Sequence, residues 1–501
     1  MSNTPYTELL TRAKEVWLLG TVSSILHWDQ ETQMPPNGAG HRANQQALVA
    51  RLAHERATDP RIGDLLASCE SSRDMADPEG DQATNVREIR RAYSRAIKLP
   101  SALVEEMARV SVLAHQAWAE ARKSSDFAHF SPWLAKVLKI KQEEAACVGY
   151  KDNPYDALLD EYEPDETSAN LVKVFESLRA PLVELVGRIA STGRRAPTEI
   201  LERPAPIAAQ QEFGCMAARA IGFDFNAGRM DVSVHPFCTD IGPGDVRITT
   251  RYDEKAFGDS LFSVLHESGH AMYEQGFLPE HAGTPLGQAI SLGIHESQSR
   301  MWENLVGRSR AFWTHYFPTA RQFFPSLADV SFDDFYRAIN ATEPGYIRVD
   351  ADEATYNLHV LLRFEIEQAL LNKDLSIADL PGAWNEKMQK YLGVTPPDDA
   401  RGCLQDVHWS GGAFGYFATY TLGNLYACQF FDQAKHDIPT LETSFAAGDF
   451  APLLKWLRTN IHQHGRRFSA GRLVKKVTGS ALSSAPLLTH LRRKALEVYG
   501  V

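Results

Sequence analysis

The sequence predicts a mainly α protein: a large helical body whose two sides flank a cleft, with a small antiparallel β-sheet near the site. Apolar residues recur at three- and four-residue steps through most of the 501 residues. Two-residue alternation is confined to one stretch, 229–252. Neither an internal repeat nor a Ser/Gly linker divides the chain, so one domain over 1–501 is expected.

The elements follow in order. Residues 7–32 carry Leu9, Leu10, Ala13, Val16, Leu19, Val22, Ile25 and Leu26 at helical spacing, and Pro35-Pro36-Asn37-Gly38 breaks the pattern. Helical spacing continues over 41–56, 83–97, 100–122, 129–148, 167–191 and 207–221. Met230, Val232 and Val234, then Val246, Ile248 and Thr250, alternate with polar residues about the turn Ile241-Gly242-Pro243-Gly244-Asp245. That pattern reads as antiparallel strands. Helices resume at 256–277, 287–306, 331–341, 350–372, 383–392, 412–434, 450–463 and 469–476.

Composition narrows the function. With 44% hydrophobic and 23% charged residues, the chain is globular rather than collagenous or disordered. Its 52 Lys+Arg against 63 Asp+Glu give a net charge of −11, which offers nothing general to nucleic acid or anionic lipid. The start, MSNTPYTELLTRAKEVWLLG, carries no apolar run behind a basic cluster. No stretch reaches the roughly 18 apolar residues of a membrane span. Cys69, Cys147, Cys215, Cys238, Cys403 and Cys428 form no CxxC pair, so a reduced, cytoplasmic setting is expected.

The chemistry concentrates at His266-Glu267-Ser268-Gly269-His270, an HExxH motif among helix-spaced Phe262, Leu265, Met272 and Tyr273. On a helix the two histidines share a face one turn apart and can both reach one Zn²⁺ at about 2.0–2.1 Å. Glu267 then lies close enough to take a proton from a metal-bound water. The bland alternative is a pair of hydrogen-bonded core histidines. A third ligand is needed. After the loop 277–285, a second helix carries His295, Glu296 and Gln298. An antiparallel return brings Glu296 alongside His270, so Glu296 is expected as that ligand, with His295 as the weaker alternative.

Eight blocks stand in a telling order: LHWDQETQMPPNGAGHRANQ (26–45), HPF (235–237), DVRIT (245–249), HESGH (266–270), HESQ (295–298), IRVDAD (347–352), GCLQDVHW (402–409) and GGAFGYFATY (411–420). Through them the chain resembles the carboxypeptidase Taq family of zinc metallocarboxypeptidases along nearly its whole length. The resemblance implies a fold of the neurolysin and angiotensin-converting-enzyme type around a deep groove, which N-terminal helices over about 1–100 would cover. It implies a homodimer that removes C-terminal amino acids from peptides with broad specificity, using zinc, with cobalt able to substitute. Carried over by position, His266, His270 and Glu296 are the ligands and Glu267 the catalytic carboxylate. One departure stands out. Many peptidases with this ligand set have an acid four positions after the ligand glutamate to orient a histidine, and here that position is Arg300.

The remaining roles are expectations. The resemblance points to Tyr416 first and Tyr420 second as oxyanion donors, against plain core packing. A free C-terminal carboxylate suits an arginine fork. Arg348 is the first choice, unless Asp350 or Asp352 locks it. Arg247 is the second, unless it is paired to Asp245. His408 could donate to substrate or merely brace Asp406; His235 and Gln405 could line the groove. Two other functions remain open: an endo-acting oligopeptidase or dipeptidyl carboxypeptidase, and a non-catalytic helical binding protein.

Overall fold

The computed structural model describes residues 4–501; residues 1–3 of the expected domain lie outside them. Twenty α-helices and three short strands occur among the described residues. Every helix read from periodicity is present, though those read from 287, 350 and 412 begin five or six residues later, at Leu292, Thr355 and Ala418. Pro60–Glu70, Pro154–Tyr162, Arg310–Phe323, Leu441–Ala446 and Ala485–Tyr499 add to them. Proline explains most of these additions. Pro60, Pro154 and Pro486 stand in the first turn of their helices, where the missing N–H costs nothing, and Pro318 lies inside Arg310–Phe323.

The expected antiparallel sheet is instead mixed. β1 (Gly228–Val232) runs parallel to β3 (Asp245–Thr250), and β2 (Cys238–Gly242) runs antiparallel to it, in the order β1-β3-β2. The Gly242–Asp245 turn joins β2 to β3 as read from the sequence. The strand before it is the new one, and Val234 stands outside any strand, exposed. Val246 and Ile248 bury one face of β3 against the core.

One large apolar core unites the helices from about Leu103 to the C-terminus with β3. A second, small core lies apart. Leu9, Ile62, Leu65, Leu66, Cys69, Val86 and Ile89 pack together where Pro5–Thr32, Pro60–Glu70 and Asp81–Lys98 meet. The Ala39–Ala57 helix buries no residue fully. Residues 4–100 thus form a thin layer on a deep body. No helix of the described residues is long and apolar enough to cross a membrane.

Candidate metal centre

Two helices build the centre. The motif helix, Phe257–Glu274, and the helix Leu292–Arg300 run antiparallel. They touch at Gly269, where an added Cβ would lie 2.6 Å from Ser299 Cα. That close approach explains the glycine inside HESGH. A third helix, Ala418–Asp437, closes on the other side, and a Cβ at its Gly423 would lie 2.5 Å from Glu296 Cγ. Small residues on both sides therefore set the depth of Glu296, whose residue is 7% exposed.

The structure brings His266, His270 and Glu296 together, with one donor atom from each inside a 4.8 Å cluster. Glu296 Oε2 lies 3.7 Å from His266 Nε2 and 3.4 Å from His270 Nε2. Ligand atoms on a tetrahedral ion with bonds of about 2.0–2.1 Å stand about 3.3 Å apart, so this set fits a divalent metal. The hydrogen bonds around it support the fit. His266 Nδ1 meets Glu303 Oε2 at 2.9 Å. His270 Nδ1 meets His295 Nδ1, whose Nε2 meets Glu274 Oε1 at 2.7 Å. One tautomer set satisfies every contact: His270 Nδ1–H donates to His295, and His295 Nε2–H to Glu274. Both motif histidines then turn an unprotonated Nε2 toward the gap. His295, the weaker ligand alternative, spends both ring nitrogens in that chain.

Charge is arranged to match. Burial and the neighbouring His295 hold the His270 imidazole down at about 3, so it is neutral at neutral pH. Burial opposes ionisation of Glu296, but Arg300 and the two histidines hold its carboxyl well below the usual range. Arg300 Nε donates to Glu296 Oε1 at 2.7 Å, leaving Oε2 for the gap, and its Nη1 reaches Glu303 at 3.2 Å. The acid sought four positions after Glu296 is thus replaced by Glu303, seven positions on. A short π-helical turn over Met301–Val306 carries it. Glu267 is buried, and burial pushes its carboxyl up to about 7. No hydrogen bond from another described residue holds that carboxylate.

The other expected residues fall into two groups. Tyr416, Tyr420 and His408 form one aromatic wall. Tyr420 OH donates to Tyr416 OH at 3.4 Å, and the His408 ring lies 5.4 Å from Tyr416. Arg348 stands 5.1 Å from the Tyr420 ring and joins this wall to Tyr356, which also faces Arg300 at 4.4 Å. Burial lowers the His408 imidazole to about 4, although Asp406 lies 3.8 Å away.

Three expectations are corrected. The partner of Arg348 is neither Asp350 nor Asp352 but Asp406, at 2.9–3.0 Å from Nη2 and Nε. Asp352 instead caps the start of Thr355–Leu371. Arg247 gives Nε and Nη2 to Asp245 at 2.8 and 2.7 Å and lies 4.5 Å over Trp28, so its carboxylate-binding edge is occupied. Gln405 is no groove donor. Its Oε1 accepts from Arg348 N and Arg363 Nη2, and its Nε2 donates its two hydrogens among the carbonyls of Tyr346, Arg401 and Gly402. His235 is exposed on the β1–β2 link, where its carbonyl accepts from Ser233.

Sequence reasoning missed Glu303, Glu274, Tyr356 and the pairing of Asp406 with Arg348 and Arg363. Glu303 was findable, because position i+7 returns to nearly the same helix face as Glu296.

Known proteins resemble this chain along nearly its whole length. Residues 8–495 match the family described as carboxypeptidase Taq (M32) metallopeptidase. The chain is 50% identical to thermostable carboxypeptidase 1 of Thermus thermophilus over 99% of both chains. It is 39% identical to carboxypeptidase 1 of Bacillus subtilis over 95% of each. The crystal structure of an M32 carboxypeptidase from Deinococcus radiodurans superposes with a TM-score of 0.96 at 42% identity, covering 99% of this chain and 100% of that one.

Proposed function

The chain belongs to the carboxypeptidase Taq (M32) metallopeptidase family and is a metallocarboxypeptidase; from that premise we propose that it removes single amino acids from the free C-termini of peptides, with broad specificity, using one Zn²⁺ held by His266, His270 and Glu296. The observation that carries this reading is the convergence of the three donor atoms with their far sides tied down. When bound, the divalent ion supplies Lewis acidity to the scissile carbonyl and to the attacking water; Co²⁺ can take its place.

The chain's own groups do the rest. The Glu267 carboxylate takes a proton from the attacking water and returns it to the leaving nitrogen. Its lack of hydrogen bonds leaves both oxygens free for that work. Tyr416 donates to the oxyanion. Because Tyr416 accepts the Tyr420 hydrogen, its own hydroxyl hydrogen stays available. Arg348 meets the substrate carboxylate through the Nη hydrogens that Asp406 and Tyr356 leave free, since Asp406 holds its Nε–Nη2 edge. Two guanidiniums, Arg348 and Arg363, surround the single carboxylate Asp406, so the cluster carries one uncompensated positive charge. His408 and His235 contact the peptide at the edges of the groove.

The N-terminal layer covers one side of the groove in this reading. A cleft of about 420 Å³ lies between Trp17 and Ser24 of the first helix and Glu274 and His295 of the centre. The six free thiols support a reducing, cytoplasmic location, and the family resemblance supports a homodimer. A mass-spectrometric time course on one peptide, with its C-terminus free and then amidated, tests the reaction. Stepwise loss of single C-terminal residues from the free form alone is expected. Internal cuts or dipeptide release would overturn it.

A further inference from the structure

Glu163 is a buried acid outside the constellation described above. It follows the Pro154–Tyr162 helix, is 0% exposed, and pairs with no cationic side chain of the described residues. Three hydrogens point at it instead. Ser291 Oγ and Tyr426 OH donate to Oε1, each at 3.0 Å, and the Gly293 N–H donates to Oε2 at 3.0 Å. The Ser291 hydroxyl oxygen meanwhile accepts from Ile294 N at 3.1 Å. Ser291 caps Leu292–Arg300, so the carboxylate grips the first turn of the helix that carries Glu296.

We propose that Glu163 is a positioning residue for the metal: by fixing the start of Leu292–Arg300 it sets the depth and rotation at which Glu296 meets His266 and His270. The proposal rests on the reading of Glu296 as a ligand. Gly293 lies three residues before Glu296, about 4.5 Å along the axis, so little flexible chain separates the grip from the ligand. Tyr426 stands three residues after Gly423 on Ala418–Asp437, the helix that walls in Glu296. One carboxylate thereby spaces both helices that confine the ligand. The positive end of the Leu292–Arg300 helix supplies the favourable potential that no cation provides. An apolar residue in its place would leave the Gly293 N–H and the Ser291 and Tyr426 hydroxyls buried without this acceptor, so the three donors hold the helices in register only while the carboxylate is there. A metal site tolerates only about 0.2 Å of error in ligand distance, which is what a rigid grip secures.

The test uses the full-length chain, stripped of metal and titrated with Zn²⁺ against a competing chelator, and with Co²⁺ followed by its visible absorption. Glu163→Gln keeps the volume but sets an NH₂ group among the donors. It should weaken Zn²⁺ binding by about 10–100-fold and alter the Co²⁺ spectrum. Tyr426→Phe removes one donor and should shift affinity the same way by less; it also serves if Glu163→Gln fails to fold. Parent-like affinity and spectrum in the folded variants, with only a lowered melting temperature, would overturn the proposal. A parent chain that takes up no ion would overturn the ligand reading as well, so the two failures are told apart.

Discussion

The N-terminal layer and the metal-bearing body are held together on different terms. In the layer, Pro5–Thr32 fully buries only Leu9 and Trp28, and Leu18, Val22 and Ile25 remain substantially exposed. The layer is joined to the body largely through arginines on Asp81–Lys98. Arg91 meets Asp160 at 2.9 Å, Arg95 meets Glu144 at 2.7 Å, and Arg87 reaches the carbonyls of Arg466 and Arg467. In the body, the motif helix, Leu292–Arg300 and Ala418–Asp437 bury most of their residues and close on one another through glycines. The difference teaches where precision is required. Ligand distances demand a close-packed setting. A layer outside the site can rest on polar contacts that yield separately.

The comparison breaks or sharpens at five points. Glu267→Gln should lower kcat by about 10²–10⁴-fold while metal content stays at that of the parent; steady-state kinetics beside elemental analysis check this. Glu303→Gln should weaken Zn²⁺ binding by about 10–100-fold, because His266 loses the charged acceptor that orients it and raises its basicity. Chelator competition reads that loss. Gly423→Ala should cost about 1–3 kcal/mol and reduce metal uptake, since the new Cβ meets Glu296. Thermal melts of metal-free and metal-loaded protein separate the two effects.

A smaller effect concerns pH. Glu367 is buried with no salt bridge among the described residues and accepts from Trp409 Nε1, Gly415 N and Tyr155 OH. Burial pushes its carboxyl up to about 8, against 4.5 for the free group. Between those values the unfolded chain has released this proton and the folded chain has kept it. The contribution of Glu367 to stability is therefore full below about pH 4.5 and is lost as pH rises toward 8. The stability of the parent relative to Glu367→Gln should fall over that window, as urea midpoints would show. The smallest effect belongs to the layer. Arg91→Ala should leave Zn²⁺ affinity unchanged and cost about 1 kcal/mol or less, by denaturant melts. A loss of metal affinity there would erase the distinction between the two regions.

Much of this was legible in the residues. Helical spacing located most helices, and the i, i+4 histidines with a carboxylate on the returning helix named the three residues that converge. Pro60–Glu70, Pro154–Tyr162 and Ala485–Tyr499 went unread, and each carries a proline in its first turn. The sheet was misjudged because alternation gives strand faces but not strand direction, and β2 alternates too weakly to register. The only partners the local sequence offered Arg348 were Asp350 and Asp352, whereas Asp406, 58 positions away, holds it. Glu163 and Glu367 carry no local signal at all. Their roles come from helix ends and loops brought to them by the fold.

Anomalous diffraction from crystals grown with Zn²⁺ tests the central claim most directly. The account predicts one peak about 2.0–2.2 Å from His266 Nε2, His270 Nε2 and Glu296 Oε2. A peak at other residues, or a Glu296 side chain turned away from both histidines, would contradict it.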